Sequence, residues 1–592
     1  MWCSLGAVKT ISTVCFTVVC LLCQPCRSND EIVVTKYGKV KGFPISLPYG
    51  NVMAFLGIPY AEPPVGDLRF KKPKSPKSWS NLQDATKYGN SCFQLRDETF
   101  PGFPGSEMWN PKNELSEDCL NYHIYLSYIP NKASVMVWIY GGGFETGTSS
   151  LDIYDGKFLA ATEQVIVVSM NYRLGPLGFL SFPGNPEAPG NVGLFDQRLA
   201  LQWVYENIVA FGGNPESITI FGESAGGGSV SYHLLSSGSQ TFFTRAIMQS
   251  GTGNAPWGAV SKVEAHHRAL ALAYQLDCPT WNETEIIACL KAKNPQEILE
   301  KAYSVVPLSD KALIDLMFPP TVDGDFLVAM PDELMKSGFL KRNTQVLTGV
   351  NKDEGSFFLV YGRPGFSKEH ENFINRRKFK ETVQTSFPKA TQLAVDSILL
   401  YYTDWTIEQE PAYYRDAMKA IAGDYYFVCP LLEFTEKNSE IGNNAYLYFF
   451  QHRSSRLAWP QWMGVLHGYE IEFVFGMPLN TTLNYTKEEE ILSRTMMRYW
   501  GNFAKTGNPN DAGSSETNWP MFTLNKQSYL TLDTGTLNTN QKMRINQCKF
   551  WGQFYHKDLQ VPAPVFCIGN HLTATRFFFL VIFSVFLMLI EM

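Results

Sequence analysis

The sequence contains no Lys/Arg-rich run, and its 50 basic residues stand against 56 acidic ones for a net charge of −6. Nucleic-acid binding draws its affinity from phosphate neutralisation, so this balance argues against a nucleic-acid partner and suits a small cationic one. There is no internal repeat, no low-complexity tract and no fixed glycine or proline period, which excludes solenoid and collagen-like chains. Disorder is excluded as well, because 45% of the 592 residues are hydrophobic and only 18% are charged. No composition break or linker divides the chain, so one large domain is the economical reading.

The two ends are the exception. Lys9 precedes an apolar stretch, Ile11 to Cys23, too short to span a bilayer and followed abruptly by Arg27-Ser28-Asn29-Asp30. This predicts a secretory signal peptide over residues 1–28. At the other end, Gly569-Asn570, a polar spacer and the apolar run Phe577 to Ile590 have the layout of a GPI-anchor signal with attachment at Asn570; a short tail-anchored helix is the rival. The division is thus a catalytic body over 29–566 and a C-terminal segment, 567–592, with an anchor signal.

Five of the twelve cysteines fall in the signal. Cys92, Cys119, Cys278, Cys289, Cys429 and Cys548 form an even set, expected to make three bridges in an oxidising compartment. Cys567 is left over beside the anchor site, which predicts an interchain bridge and a disulfide-linked homodimer. Asn-x-Ser/Thr triplets at Asn282, Asn480 and Asn484 predict glycosylation of an extracellular surface.

Between the ends, short β-branched runs alternate with helical patterns. Ser134–Tyr140, Gln164–Met170, Ser217–Phe221, Thr244–Gln249, Gln345–Val350 and Ala445–Phe450 read as buried parallel strands, and Leu194–Val209 and Lys487–Thr506 as helices. The result is an α/β domain, and Pro101–Gly105 reads as a surface loop.

Ser217–Phe221 runs into Gly222-Glu223-Ser224-Ala225-Gly226, followed by a helical pattern. That is a nucleophile elbow of the α/β-hydrolase fold, a large, mostly parallel sheet flanked by helices. A serine on so sharp a turn needs glycine two positions to either side, and the helix behind it aims N–H groups at a developing oxyanion. The earlier run Gly141-Gly142-Gly143-Phe144 offers a second donor turn, so the N–H groups of Gly142, Gly143 and Ala225 are the candidate oxyanion hole. In this architecture acid and histidine follow the nucleophile in that order. His467, in a glycine-flanked loop, is the candidate base, while Asp353 and Glu354, after the Gln345–Val350 strand, both qualify as the acid.

Gly222 to Gly228, Asn351 to Phe358 and His467 to Gly476, with Phe100 to Cys119 and Phe503 to Asn510, resemble the cholinesterases within the type-B carboxylesterase family, from about Tyr37 to about Phe554. The resemblance implies the triad Ser224, Glu354 and His467, so it chooses Glu354 over Asp353. It implies bridges Cys92–Cys119, Cys278–Cys289 and Cys429–Cys548, hydrolysis of choline esters and a synaptic setting. The chemistry, through an acyl-enzyme, needs no metal or cofactor, and the expected signal and anchor place the enzyme on the extracellular face of the membrane.

A quaternary ammonium donates no hydrogen bond and is held by aromatic faces, tryptophan best. By resemblance Trp109 is that residue, Glu223, Phe357 and Tyr361 are its neighbours, Asp97 attracts cations at the mouth, and Trp257 also lines the substrate site. The sequence departs from acetylcholine-selective members where two phenylalanines would narrow the acyl pocket. Here Ile314 and Leu316 stand in a segment two residues longer, which implies that butyryl esters also fit. Leu95, Glu145 and Tyr303 stand at the mouth in place of Tyr, Tyr and Trp. Two rival readings are a broad carboxylesterase without choline preference, opposed by Trp109, Asp97 and Glu223, and an adhesion protein of the same fold, opposed by the complete triad.

Overall fold

Runs of β-branched and aromatic residues build an eleven-stranded central sheet in the computed structural model, which describes residues 31–127, 132–279, 281–510 and 517–554. Numbered along the chain, its strands are β1 (Phe43–Leu47), β2 (Gly50–Pro59), β3 (Asn121–Ser127), β4 (Ala133–Ile139), β5 (Ile166–Met170), β6 (Gly213–Glu223), β7 (Arg245–Gln249), β8 (Gln345–Asn351), β9 (Asn444–Phe450), β10 (Ser528–Leu532) and β11 (Asn538–Gln541). They lie in the order 11-10-9-8-7-6-4-5-3-2-1. From β10 across to β5 every neighbouring pair is parallel, and the strands beyond are antiparallel. This is the mostly parallel sheet of an α/β-hydrolase.

Successive residues of a strand point to opposite faces, and Val135 through Ile139 and Ile166 through Val168 are all essentially inaccessible. Both faces are therefore covered. Helices Val192–Asn207, Ala225–Leu235 and Lys487–Thr506 pack on β6. Lys487–Thr506 has clear reasons to start and stop where it does. Thr486 and Glu489 form a capping box, three glutamates occupy the first turn, and Gly507 closes the end in the left-handed region at φ 79°.

All six strands expected from sequence form parallel neighbours in the sheet. Two local readings need correction. Gln164 belongs to no strand; it is the left-handed cap, φ 53°, of helix Lys157–Glu163. Pro101 and Gly102 are exposed as a surface loop requires, but Gly105 is buried in a short helix, Pro104–Glu107, against the Trp459 indole.

The three bridges join Cys92 to Cys119, Cys278 to Cys289 and Cys429 to Cys548. The first closes the loop that carries Asp97 and Trp109. The expected signal peptide, Cys567, Asn570 and the anchor signal lie outside the described residues. Among the described residues no helix is long and apolar enough to cross a membrane.

Candidate active site

Parallel strands that end side by side deliver the site. β4 leads into Gly141–Gly143, β6 into Ser224, β7 into Ser250 and β8 into Asp353 and Glu354, all beyond carboxyl ends of adjacent strands, where open α/β sheets bind their ligands.

Ser224 sits at φ 56°, ψ −123°, a conformation a side-chain-bearing residue rarely adopts. Its neighbours permit it. A Cβ on Gly222 would lie 2.6 Å from the Gly226 carbonyl and from Ile139 O, and one on Gly226 would collide with Ile139 O. The strained serine is held by its own N–H, donated to Gln249 O at 2.8 Å, and by its carbonyl, which accepts from Gly228 N at 2.8 Å. Helix Ala225–Leu235 begins directly behind it. Among the described residues the N–H groups of Gly142, Gly143 and Ala225 donate to no acceptor, so all three are available to an incoming oxygen.

Glu354 and Asp353 have separate tasks. Glu354 Oε2 accepts from His467 Nδ1 at 2.6 Å, while Oε1 accepts from Ser250 Oγ at 2.6 Å and from Asn351 N at 2.7 Å. Asp353 instead accepts from the backbone N–H of Val465 at 2.9 Å and from Lys419, bracing the loop that leads to His467. Thus Glu354, 1% exposed, is the carboxylate that meets the imidazole. The ring itself rests on Phe427 and Phe358, with centroids 4.4 and 5.2 Å away.

The other imidazole nitrogen, Nε2, lies 3.1 Å from Glu223 Oε1 without hydrogen-bond geometry, and neither atom has a hydrogen-bond partner. Burial opposes a charged imidazole, yet Glu223 and Glu354 outweigh it and hold His467 above the usual histidine range. Glu223 is itself pushed well up by burial, an effect that the imidazole opposes and Glu470 and Glu354 reinforce. Glu470, inaccessible, accepts from Gln249 Nε2 at 3.1 Å and Asn351 Nδ2 at 2.6 Å and ties the histidine turn to β7 and β8.

Two different walls flank this centre. On one side Trp109 stands edge-to-face on Tyr469, centroids 6.0 Å apart, and a Cβ on Gly468 would meet the Trp109 ring at 3.3 Å and Glu223 Oε1 at 3.6 Å. Phe357 and Tyr361, one turn apart on helix Ser356–Gly362, have centroids 4.6 Å apart, and Tyr361 Oη donates to Asp97 Oδ2 at 2.6 Å. On the other side Leu316 reaches over the oxyanion turn, since a Cβ on Gly143 would lie 2.9 Å from Leu316 Cδ2. Trp257 packs beneath, against Phe144 and Phe427, and donates its indole N–H to Tyr426 O at 2.9 Å. Ile314 and Leu316 are partly buried, whereas Met317 and Phe318 are turned into the core.

A nucleophile elbow, a carboxylate-bound histidine and free donors on two loops suit acyl transfer. A family model described as "Carboxylesterase family" matches residues 29–551. The chain belongs to the carboxylesterase family. Similar curated proteins include a cholinesterase of Mus musculus, 55% identical over 552 residues covering 92% of this chain and 91% of the relative. An acetylcholinesterase of Bungarus fasciatus is 50% identical, covering 91% and 88%, and one of Danio rerio is 47% identical, covering 94% and 93%.

Among the described residues of this carboxylesterase, no group of His, Cys, Asp and Glu could hold a metal ion. Sequence reasoning missed Ser250, Phe358, Phe427 and Glu470. Phe427 had a signal only in three dimensions, since it lies in a π-helical turn, Asp424–Val428, of the kind that often marks functional sites. Asn282 and Asn484 are exposed and Asn480 is partly so, with Asn282 capping helix Glu283–Ala292 through its side-chain oxygen.

Proposed function

We propose that this carboxylesterase hydrolyses choline esters through an acyl-enzyme on Ser224. His467 Nε2 takes the Ser224 proton as Oγ attacks the ester carbonyl, and Glu354 orients the ring and stabilises its cation. The carbonyl oxygen becomes an oxyanion facing the N–H groups of Gly142, Gly143 and Ala225, each worth about 3 kcal/mol in the transition state. Collapse expels choline, which receives the proton from His467. Water, deprotonated by the same nitrogen, then attacks the acyl-serine and returns the enzyme with a free carboxylic acid.

The observation that carries the choline reading is the Trp109 indole beside the Glu223 carboxyl, one residue from the nucleophile. An aromatic face next to an acidic group suits a cation that makes no hydrogen bonds. Asp97 and Tyr361 add an acidic and an aromatic group above it, and relatives named cholinesterase and acetylcholinesterase support the same substrate class. The acyl group faces Leu316, Ile314 and Trp257; aliphatic residues there accept butyryl as well as acetyl chains.

The three disulfides suit an oxidising, extracellular setting. There the mature chain is glycosylated at Asn282, Asn480 and Asn484, anchored through Asn570 and paired with a second copy through Cys567. Supporting the pairing, helix Gln392–Tyr401 exposes Leu393 and Leu400 beside the C-terminal helix Ile545–Phe554, onto which Tyr401 stacks through Phe550 at 4.3 Å.

Acetylthiocholine hydrolysis by purified protein, wild type against Ser224→Ala, tests the function. Turnover in the wild type and its loss in a folded, secreted variant are expected; a variant with substantial activity would reject the nucleophile.

A further inference from the structure

The acyl wall is held by an acidic residue that lies outside the triad and the choline side. Glu145 follows the oxyanion glycines after one residue, Phe144, in a turn closed by its own N–H, which donates to Gly142 O at 3.0 Å. Its Oε1 accepts from the backbone N–H of Met317 at 2.6 Å, so the carboxylate reaches from the oxyanion loop into the segment that carries Ile314 and Leu316. The same peptide is gripped from the other side. Arg268 Nη1 donates to Leu316 O at 2.5 Å and to Met317 O at 3.1 Å, its Nη2 lies 3.5 Å from Asp315, and its Nε donates to Glu264 at 2.7 Å. The stretch Leu316–Met317 is therefore pinned between two charged groups. This pinned backbone carries the Leu316 methyl that overhangs Gly143.

We infer that Glu145 is a positioning residue that sets the depth of the acyl pocket by holding the Met317 peptide, and so governs which acyl chain length this enzyme prefers. The inference rests on the reading of Ile314 and Leu316 as the acyl wall. Arg268 holds the Leu316–Met317 backbone through its two carbonyls and leaves the Met317 N–H to Glu145. The groups facing the carboxylate are the Met317 and Phe318 N–H groups, Lys311, Asp315 and the Tyr303 phenol. Burial pushes the Glu145 carboxyl up to about 7; the Met317 N–H, Lys311 and the Phe318 N–H oppose this and Asp315 adds to it. Above that pH an ionised carboxylate holds the peptide by a charge-assisted bond, and below it a neutral carboxyl holds it more weakly. The wall is firm in alkali and yields in acid.

The readout is the ratio of kcat/KM for butyrylthiocholine to that for acetylthiocholine between pH 6 and about pH 8.5. His467 serves both substrates, and its titration cancels in the ratio. In the wild type the ratio should rise about five-fold as pH falls through about 7, the difference between a charged and a neutral hydrogen bond. Glu145→Gln, close in shape and without charge, should hold the ratio at the wild-type acid value across the range, with thermal unfolding unchanged. A wild-type ratio that does not vary with pH, or a Glu145→Gln ratio that varies as the wild type does, overturns the inference. Leu316→Phe separates the two readings. If it leaves butyryl turnover intact, the acyl-wall reading itself fails; if it depresses butyryl turnover while Glu145→Gln retains the pH dependence, only the role of Glu145 fails.

Discussion

Replacing Trp109 by alanine removes one face of the proposed cation site while leaving the acyl-transfer machinery in place. The indole is partly buried, fixed edge-to-face on Tyr469, and lies against Gly468 beside the Glu223 carboxyl, so a trimethylammonium group on it would be largely desolvated. A cation over an indole in such surroundings is worth about 2 kcal/mol, which at about 1.4 kcal/mol per factor of ten is a loss of about 30-fold in kcat/KM. The assay compares acetylthiocholine with an isosteric thioester in which a tert-butyl carbon replaces the quaternary nitrogen. Loss of packing would affect both esters, whereas loss of the cation–π contact affects only the charged one. The choline ester should therefore fall about 30-fold and the neutral ester by less than about three-fold. Trp109→Phe, which keeps an aromatic face, should recover most of the difference. Equal losses on the two esters would refute the argument and make Trp109 a packing residue.

Ile314→Phe combined with Leu316→Phe should depress butyrylthiocholine turnover by one to two orders of magnitude and spare acetylthiocholine, because each methylene in a fitted pocket is worth roughly 1–3 kcal/mol of discrimination. Parallel losses on both substrates would show that the pair is not the acyl wall. Glu223→Gln replaces the acidic group 3.1 Å from His467 Nε2, which favours the imidazolium, with a neutral amide, so the imidazole should lose its proton more readily and the acidic limb of the kcat/KM profile for an uncharged ester should move to lower pH. An unmoved limb would mean that Glu354 and Glu470 hold the base up without Glu223. Cys567→Ser should convert a non-reducing dimer band to monomer size without changing activity, and a persistent dimer band would reject the bridge.

How far the sequence reaches depends on how local each signal is. The elbow is legible because strand, glycines, serine and helix are contiguous, and the strain at Ser224 follows from that spacing alone. The seven parallel strands include all six expected ones, since continuous apolar runs report burial on both faces. β11 was invisible for the opposite reason. Asn538–Gln541 is polar and fully exposed at an antiparallel edge, and nothing in its composition differs from a loop. Choosing Glu354 over Asp353 required the family resemblance, because two adjacent carboxylates after one strand are equivalent in one dimension. In the fold they diverge, one to His467 and one to Val465 N. Ser250 and Glu145 show the deeper limit. Their partners, Glu354 and the Met317 peptide, lie 104 and 172 residues away, and no periodicity reports such contacts.

Acyl transfer from a choline ester is proposed to pass through Ser224. Its most direct test is rapid acid quenching of the enzyme during butyrylthiocholine turnover, followed by mass spectrometry of the peptide that contains Gly222 to Gly228. A butyryl group is expected on that peptide, located at Ser224, with no such adduct in Ser224→Ala. Butyrylation at another residue during turnover, or an adduct that survives in Ser224→Ala, would contradict it.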